Sequence, residues 1–192
     1  MSKIEVFIKN YIDEILSSIF DLDFENLEKA AKQILYTIKN NNNIFVCGNG
    51  GSAAIANHYV VDFLKFFREN SNYKPKITSF SNSIETITAI SNDLNYDKIF
   101  SYQAENLCNK NDLIIIISSS GNSKNIVELV KFSKKKKIKT IGFSGFKGGY
   151  LKKNSNISIH INAQNYGISE DSHHILMHAL LQYLIKYFGK KS

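Results

Sequence analysis

Cysteine, proline and long apolar runs are all scarce in this 192-residue chain. Cys47 and Cys108 are the only cysteines and have no metal-site spacing, so a cysteine-based metal site is excluded. Met1-Ser2-Lys3-Ile4-Glu5 leads into an amphipathic pattern rather than an apolar segment with a cleavage site, so no signal peptide is expected. The two thiols are then expected to be reduced, in the cytoplasm. The longest unbroken apolar run, Leu113–Ile117, falls far short of the roughly 20 residues a bilayer-spanning helix needs, so no membrane partner is expected. Pro75 is the only proline, and there are no repeats, low-complexity tracts or internal linkers. Hydrophobic residues make up 43% and charged residues 21%, which is an ordinary globular balance and excludes disorder. One domain covering residues 1–192 is expected.

The net charge of +7 raises the question of nucleic acid. Much of it is local: Lys131, Lys134, Lys135, Lys136, Lys137 and Lys139 crowd one helix end and the following strand. Lysines there complement the helix dipole. No basic stripe interleaved with aromatics accompanies them, so nucleic acid is not the expected partner. The excess charge suits anionic metabolites instead.

Ile4–Ile19 and Phe24–Ile38 carry apolar residues at helical spacing, giving two helices before any strand. Strands are expected at Ile44–Cys47, Lys76–Phe80, Leu113–Ile117, Thr140–Phe143 and Ile157–Ile161. Helices are expected from the first glycine loop to Arg68, over Ser83–Ile90 and Asp97–Leu107 around a polar turn Ser91-Asn92-Asp93, up to Lys137, and over Glu170–Phe188. The alternation predicts an α/β fold, a doubly wound, mostly parallel sheet of about five strands flanked by helices.

In such a sheet, ligands bind beyond the carboxyl ends of the strands. Two loops there have unusual compositions. Gly48-Asn49-Gly50-Gly51-Ser52 precedes a helix whose first N–H groups can face an anion. Ser118-Ser119-Ser120-Gly121-Asn122-Ser123 offers four hydroxyls, again before a helix. Neither has the lysine of a P-loop, and the first lacks the dinucleotide G-x-G-x-x-G pattern. Each alone also reads as a helix N-cap cluster; together they suit a small phosphorylated ligand. His58 and Asp62 share a helix face at i and i+4. On the last helix, His174 and His178 lie about 40° and 80° around the axis from Glu170. This set could hold a divalent ion, or could be surface pairs and a polar helix start. Glu170 and His178 are separated by about 12 Å of rise, a stretch for two ligands of one ion.

At these residues the chain resembles the sugar isomerase (SIS) domain family, and within it the phosphoheptose isomerases. Gly48-Asn49-Gly50-Gly51-Ser52-Ala53-Ala54 followed by His58 is similar to the family's G-N-G-G-S-A-A-D-A-Q-H. Asn92-Asp93, Ser118–Ser123 (family S-T-S-G-N-S) and Ser144–Gly149 (family T-G-x-x-G-G) follow in order. His173 and His178 fit the closing Q-E-x-H-x-x-x-x-H. The resemblance implies a flavodoxin-like fold and leading helices, residues 1–40, used in packing and oligomerisation. It also implies a homotetramer with sites between subunits, and conversion of sedoheptulose 7-phosphate to glycero-manno-heptose 7-phosphate for lipopolysaccharide or capsule. It assigns zinc to His58, Asp62, Glu170 and His178, with Asp62 and His178 as the acid–base pair. Substrate contacts fall on Asn49, Gly50, Gly51, Ser52, Asn92, Asp93, Ser118, Ser119, Ser120, Ser123 and Glu170. Asp62 stands where the family has Glu, Glu170 where it has Gln, Phe66 where an Arg is usual and Ile55 where an Asp is. An isomerase of a different sugar phosphate is therefore one alternative. The other is a non-catalytic tetramer that binds proteins, as the replication-initiator-associating proteins do.

Overall fold

The computed structural model describes residues 1–190. Two helices lead. In α1 (Lys3–Phe20), the Ser2 hydroxyl accepts from the Glu5 N–H while the Glu5 carboxylate accepts from the Ser2 N–H, a capping box that fixes the start. α2 (Phe24–Lys39) is capped by the Asp23 carboxylate, which accepts from the N–H groups of Glu25 and Asn26.

The sheet consists of β1 (Asn43–Gly48), β2 (Lys76–Ser79), β3 (Leu113–Ser118), β4 (Lys139–Ser144) and β5 (Ile157–His160). Its order is β2-β1-β3-β4-β5, with every pairing parallel, as expected for the doubly wound, flavodoxin-like class. The apolar run of β3 exists because both of its faces are covered. Ile115 and Ile117 point with Val46, Phe143 and Ile159 into a core shared with the leading helices, α3 (Gly51–Asp62) and α8 (Tyr166–Phe188). Ile114 and Ile116 point the other way with Phe45 and Cys47. There they meet α4 (Ile84–Asp93), α5 (Ile99–Leu107), α6 (Lys124–Lys136) and α7 (Gly149–Asn154).

Several boundaries differ from those expected. Ser91-Asn92-Asp93 is not a turn but the last turn of α4, which starts at a Ser83 cap and keeps Asn92 and Asp93 exposed. Polar residues are readily borne on the solvent side of a helix end, so their composition misleads. A 3₁₀ turn, Tyr96–Lys98, precedes α5. α8 begins at Tyr166 rather than Glu170, because the Asn165 side chain accepts from the Ile168 N–H and caps it there. α3 does not run on regularly to Arg68: directly after Asp62 it widens into a π-turn, Phe63–Phe67. The Gly145–Gly149 segment is not wholly loop, since α7 starts at Gly149. Lys134, Lys135 and Lys136 do occupy the last turn of α6, and Lys137 closes it in the left-handed region at φ 58°.

Candidate active site

Both loops of unusual composition lie at the carboxyl edge, between β1 and α3 and between β3 and α6. They are tied together by an amide pair. Asn49 Nδ2 donates to Asn125 Oδ1, and Asn125 Nδ2 donates back to Asn49 Oδ1, each at 2.9 Å. Tyr96 Oη donates to the same Asn49 oxygen at 3.0 Å, bringing in the segment after Asn92 and Asp93. Asn92 and Asp93 are bonded to each other. Behind Gly48, Ser81 Oγ accepts from the Gly48 N–H and donates to its carbonyl. Sequence reasoning misses Asn125 and Tyr96, and no local signal marks either, since their partner Asn49 lies 76 and 47 residues away.

The serine loop is held open from the other side. Gly121 has φ 63°, its carbonyl accepts from the Leu151 N–H, and a Cβ there would collide with the Gly148 carbonyl. Gly145 N–H donates to the Ser119 carbonyl at 2.8 Å, and Asn122 Oδ1 accepts from the Tyr150 N–H. The Gly145–Gly149 segment therefore braces the serine loop. Within the loop, Ser118 Oγ accepts from the Gly121 N–H and Ser120 Oγ from the Asn122 N–H. Ser119 Oγ is buried and has no partner among the described residues. Ser123 sits at the N-cap of α6 without making a side-chain cap bond. Ser52 is buried in the first turn of α3. Two of the four loop hydroxyls are thus unspent on capping, which leaves them for a ligand at a helix N-terminus.

α3 and α8 pack side by side on the other face of that edge. At their starts the Glu170 carboxylate lies so close over Gly51 that a Cβ there would collide with it. Burial, then the neighbouring Asp171 charge, raises the Glu170 carboxyl above its ordinary value. Further along, His58 Nε2 lies 3.0 Å from His178 Nε2. Asp62 is 3% exposed beneath them, with Oδ1 3.5 Å from His58 Nε2 and Oδ2 3.4 Å from His178 Nε2. His174 joins from the turn before His178, its ring centroid 4.5 Å from that of His178 and 5.0 Å from that of His58. Burial, followed by the charges of His178 and His58, lowers the His174 imidazole. The ligating atoms of His58, His174 and His178 all lie within 4.8 Å of one another; Asp62 and Glu170 are both outside that set, although Asp62 lies beside the His58 and His178 nitrogens.

The cluster fits a divalent metal. Three imidazoles converge, and two of its buried polar atoms, Asp62 Oδ2 and His174 Nε2, make no hydrogen bond among the described residues. The π-turn after Asp62 sits where such helix irregularities often mark function. His173 points elsewhere: it is wholly buried, edge-on to Phe143, and burial pushes its pKa down to about 4. Ile55, where the resemblance has an Asp, is a core residue, and Phe66, where it has an Arg, is exposed. Among the described residues no helix is long and apolar enough to cross a membrane.

A SIS domain model matches residues 8–145. A phosphoheptose isomerase of Aliarcobacter butzleri is 34% identical over 91% of this chain and 93% of its own length. The solved phosphoheptose isomerases of Francisella tularensis and Neisseria gonorrhoeae superpose with TM-scores of 0.86 and 0.83, each at 26% identity. They cover 97% and 95% of this chain and 100% and 97% of those chains respectively. With that model covering most of its length and a curated phosphoheptose isomerase above 30% identity, the chain belongs to the SIS domain family, alongside its phosphoheptose isomerases.

Proposed function

We propose that this chain is an aldose–ketose isomerase that converts sedoheptulose 7-phosphate to glycero-manno-heptose 7-phosphate, supplying heptose for lipopolysaccharide or capsule. The observation that carries the reading is the meeting of His58, His178 and the buried Asp62 across α3 and α8, on helices that start at the edge bearing the two ligand loops. Family membership narrows the substrate to a phosphorylated sugar.

In this reading the phosphate takes the N–H groups at the start of α6 and the hydroxyls of Ser119, Ser120 and Ser123. Asn49, Gly50, Gly51, Ser52, Asn92, Asp93, Ser118 and Glu170 line the sugar chain. Asp62 removes the proton alpha to the carbonyl, giving an enediol, and His178 hands a proton to the neighbouring position. His58, Asp62 and His178 would hold zinc, with Glu170 or His174 beside them, and zinc bound there would polarise the carbonyl and adjacent hydroxyl.

The imidazoles of His58 and His178 are about half exposed on the outer helical layer, each side chain at 47%. That exposure supports a site completed by a second copy, and hence a homotetramer. The test is direct: purified chain supplied with zinc is given sedoheptulose 7-phosphate and the aldose is followed by chromatography. Formation of the aldose is expected. Conversion of other sugar phosphates but not this one would remove the substrate and leave the reaction class.

A further inference from the structure

We infer that His174 is a metal ligand in this chain, forming a three-histidine donor set with His58 and His178 above Asp62, and that Glu170 lies outside it. The inference deepens the proposed isomerase site, and its catalytic meaning rests on that reading, but the metal set can be read without turnover.

The spacing along α8 separates the two candidates. Glu170, His174 and His178 follow one another at intervals of four residues. One interval is about 6 Å of rise and two are about 12 Å. Bonds from zinc to nitrogen or oxygen are about 2.0–2.2 Å, so two ligands of one tetrahedral ion lie only about 3.4 Å apart. His174 meets this from the turn next to His178, and the three imidazole ligand atoms already fall within 4.8 Å. The carboxylate of Glu170 is engaged two turns from His178, over Gly51.

The polar accounting of the cluster points the same way. His58 and His178 set two ring nitrogens 3.0 Å apart, where at most one proton can lie between them. His174 Nε2 and Asp62 Oδ2 are buried without hydrogen bonds among the described residues. A cation placed between the three imidazoles would give the unpartnered His174 Nε2 a partner and relieve the opposed nitrogens of His58 and His178. Asp62, one methylene shorter than Glu, reaches less far into the cluster, and His174 supplies a further donor. Three nitrogens and one carboxylate favour a first-row transition ion such as zinc, cobalt or nickel over magnesium or calcium, which take oxygen ligands.

The full chain, stripped with a chelator, is titrated with Co²⁺ alone, followed by its visible absorption, and then competed with Zn²⁺ and with Mg²⁺. The wild type is expected to bind Co²⁺ with ligand-field bands that Zn²⁺ removes and Mg²⁺ does not. His174→Ala and the more conservative His174→Asn, checked for folding by circular dichroism, are expected to weaken Co²⁺ binding on the order of 100-fold, the upper end of what even outer-shell losses cost, and to change the band pattern. Glu170→Ala is expected to leave both affinity and bands unaltered. Folded His174 variants with wild-type affinity and bands would overturn the inference. So would a Glu170→Ala loss equal to that of His174→Ala, or a wild type that takes no Co²⁺. The expected Co²⁺ pattern in a protein that does not isomerise the heptulose phosphate would uphold the metal set and sink the isomerase reading alone.

Discussion

Asp62 is the only acid of α3, and burial has set it under two imidazoles rather than in water. If it is the base of the enediol step, Asp62→Asn keeps its shape but cannot accept the proton at neutral pH. Turnover of sedoheptulose 7-phosphate should then fall about 10²–10⁴-fold with the fold intact; an unchanged kcat would remove Asp62 from the reacting centre. His173 is neighbour in sequence to this cluster and unrelated to it in space, and it makes a different prediction. Its folded pKa is about 4 against an ordinary 6.5, because burial penalises the charged ring. Unfolded chains therefore take up a proton below about pH 6.5 that the folded chain refuses until about pH 4. Its contribution is fully present above pH 6.5 and is lost as the pH falls from there to about 4, on the order of 3 kcal/mol in all. His173→Leu should flatten that acid limb in urea unfolding measured from pH 7.5 to 4.5. A limb as steep as the wild type's would mean another group is responsible.

The elements differ in how clearly the sequence declared them. Leu113–Ile117 announced a strand buried on both faces because only a central parallel strand needs five consecutive apolar residues, and β3 is that strand. The glycine and serine loops were legible for a related reason: their composition is wasteful unless backbone must approach something closely. The end of α4, the π-turn and the start of α8 were not, because each depends on a cap or on packing that spacing does not encode. His174 was visible on the right face of α8, but its importance was not, since one of the two rings it meets, His58, comes from α3, more than a hundred positions earlier. Asn125 was hidden for the same reason, its partner Asn49 lying 76 residues away. The bracing of the serine loop by the β4–α7 connection is the strongest element-level constraint. At Gly121, φ 63° and the Gly148 carbonyl both oppose a side chain. Gly121→Ala should cost about 2–5 kcal/mol, combining the left-handed penalty with overpacking, and should raise KM for the sugar phosphate. Thermal unfolding and steady-state kinetics of this one variant check both effects, and wild-type stability with a wild-type KM would show that the bracing contributes nothing.

At the scale of the molecule, α1 is apolar on two sides. Ile15 is buried, with Tyr11 and Ile19 packed against the core, yet Ile4, Ile8, Ile12, Leu16 and Phe20 remain exposed, Phe20 at 72%. Such a winding apolar stripe on a leading helix is costly in water and is a mark of an interaction surface. The half-exposed imidazoles on α3 and α8 ask for a partner as well. One explanation covers both: copies of the chain pack through α1 and complete each other's sites, as the proposed homotetramer requires. Ile8→Lys combined with Ile12→Lys tests it. In a lone chain both positions face solvent, so the lysines should leave thermal stability nearly unchanged. In an oligomer they place two unpaired ammonium groups in a desolvated interface, where each costs several kcal/mol. The double variant should therefore sediment as a smaller species than the wild type and lose turnover at the same protein concentrations. If it keeps the wild-type sedimentation coefficient, α1 is not the interface. If it dissociates but isomerises at the wild-type rate, the site is complete within one chain, and the open imidazoles must be explained without a partner.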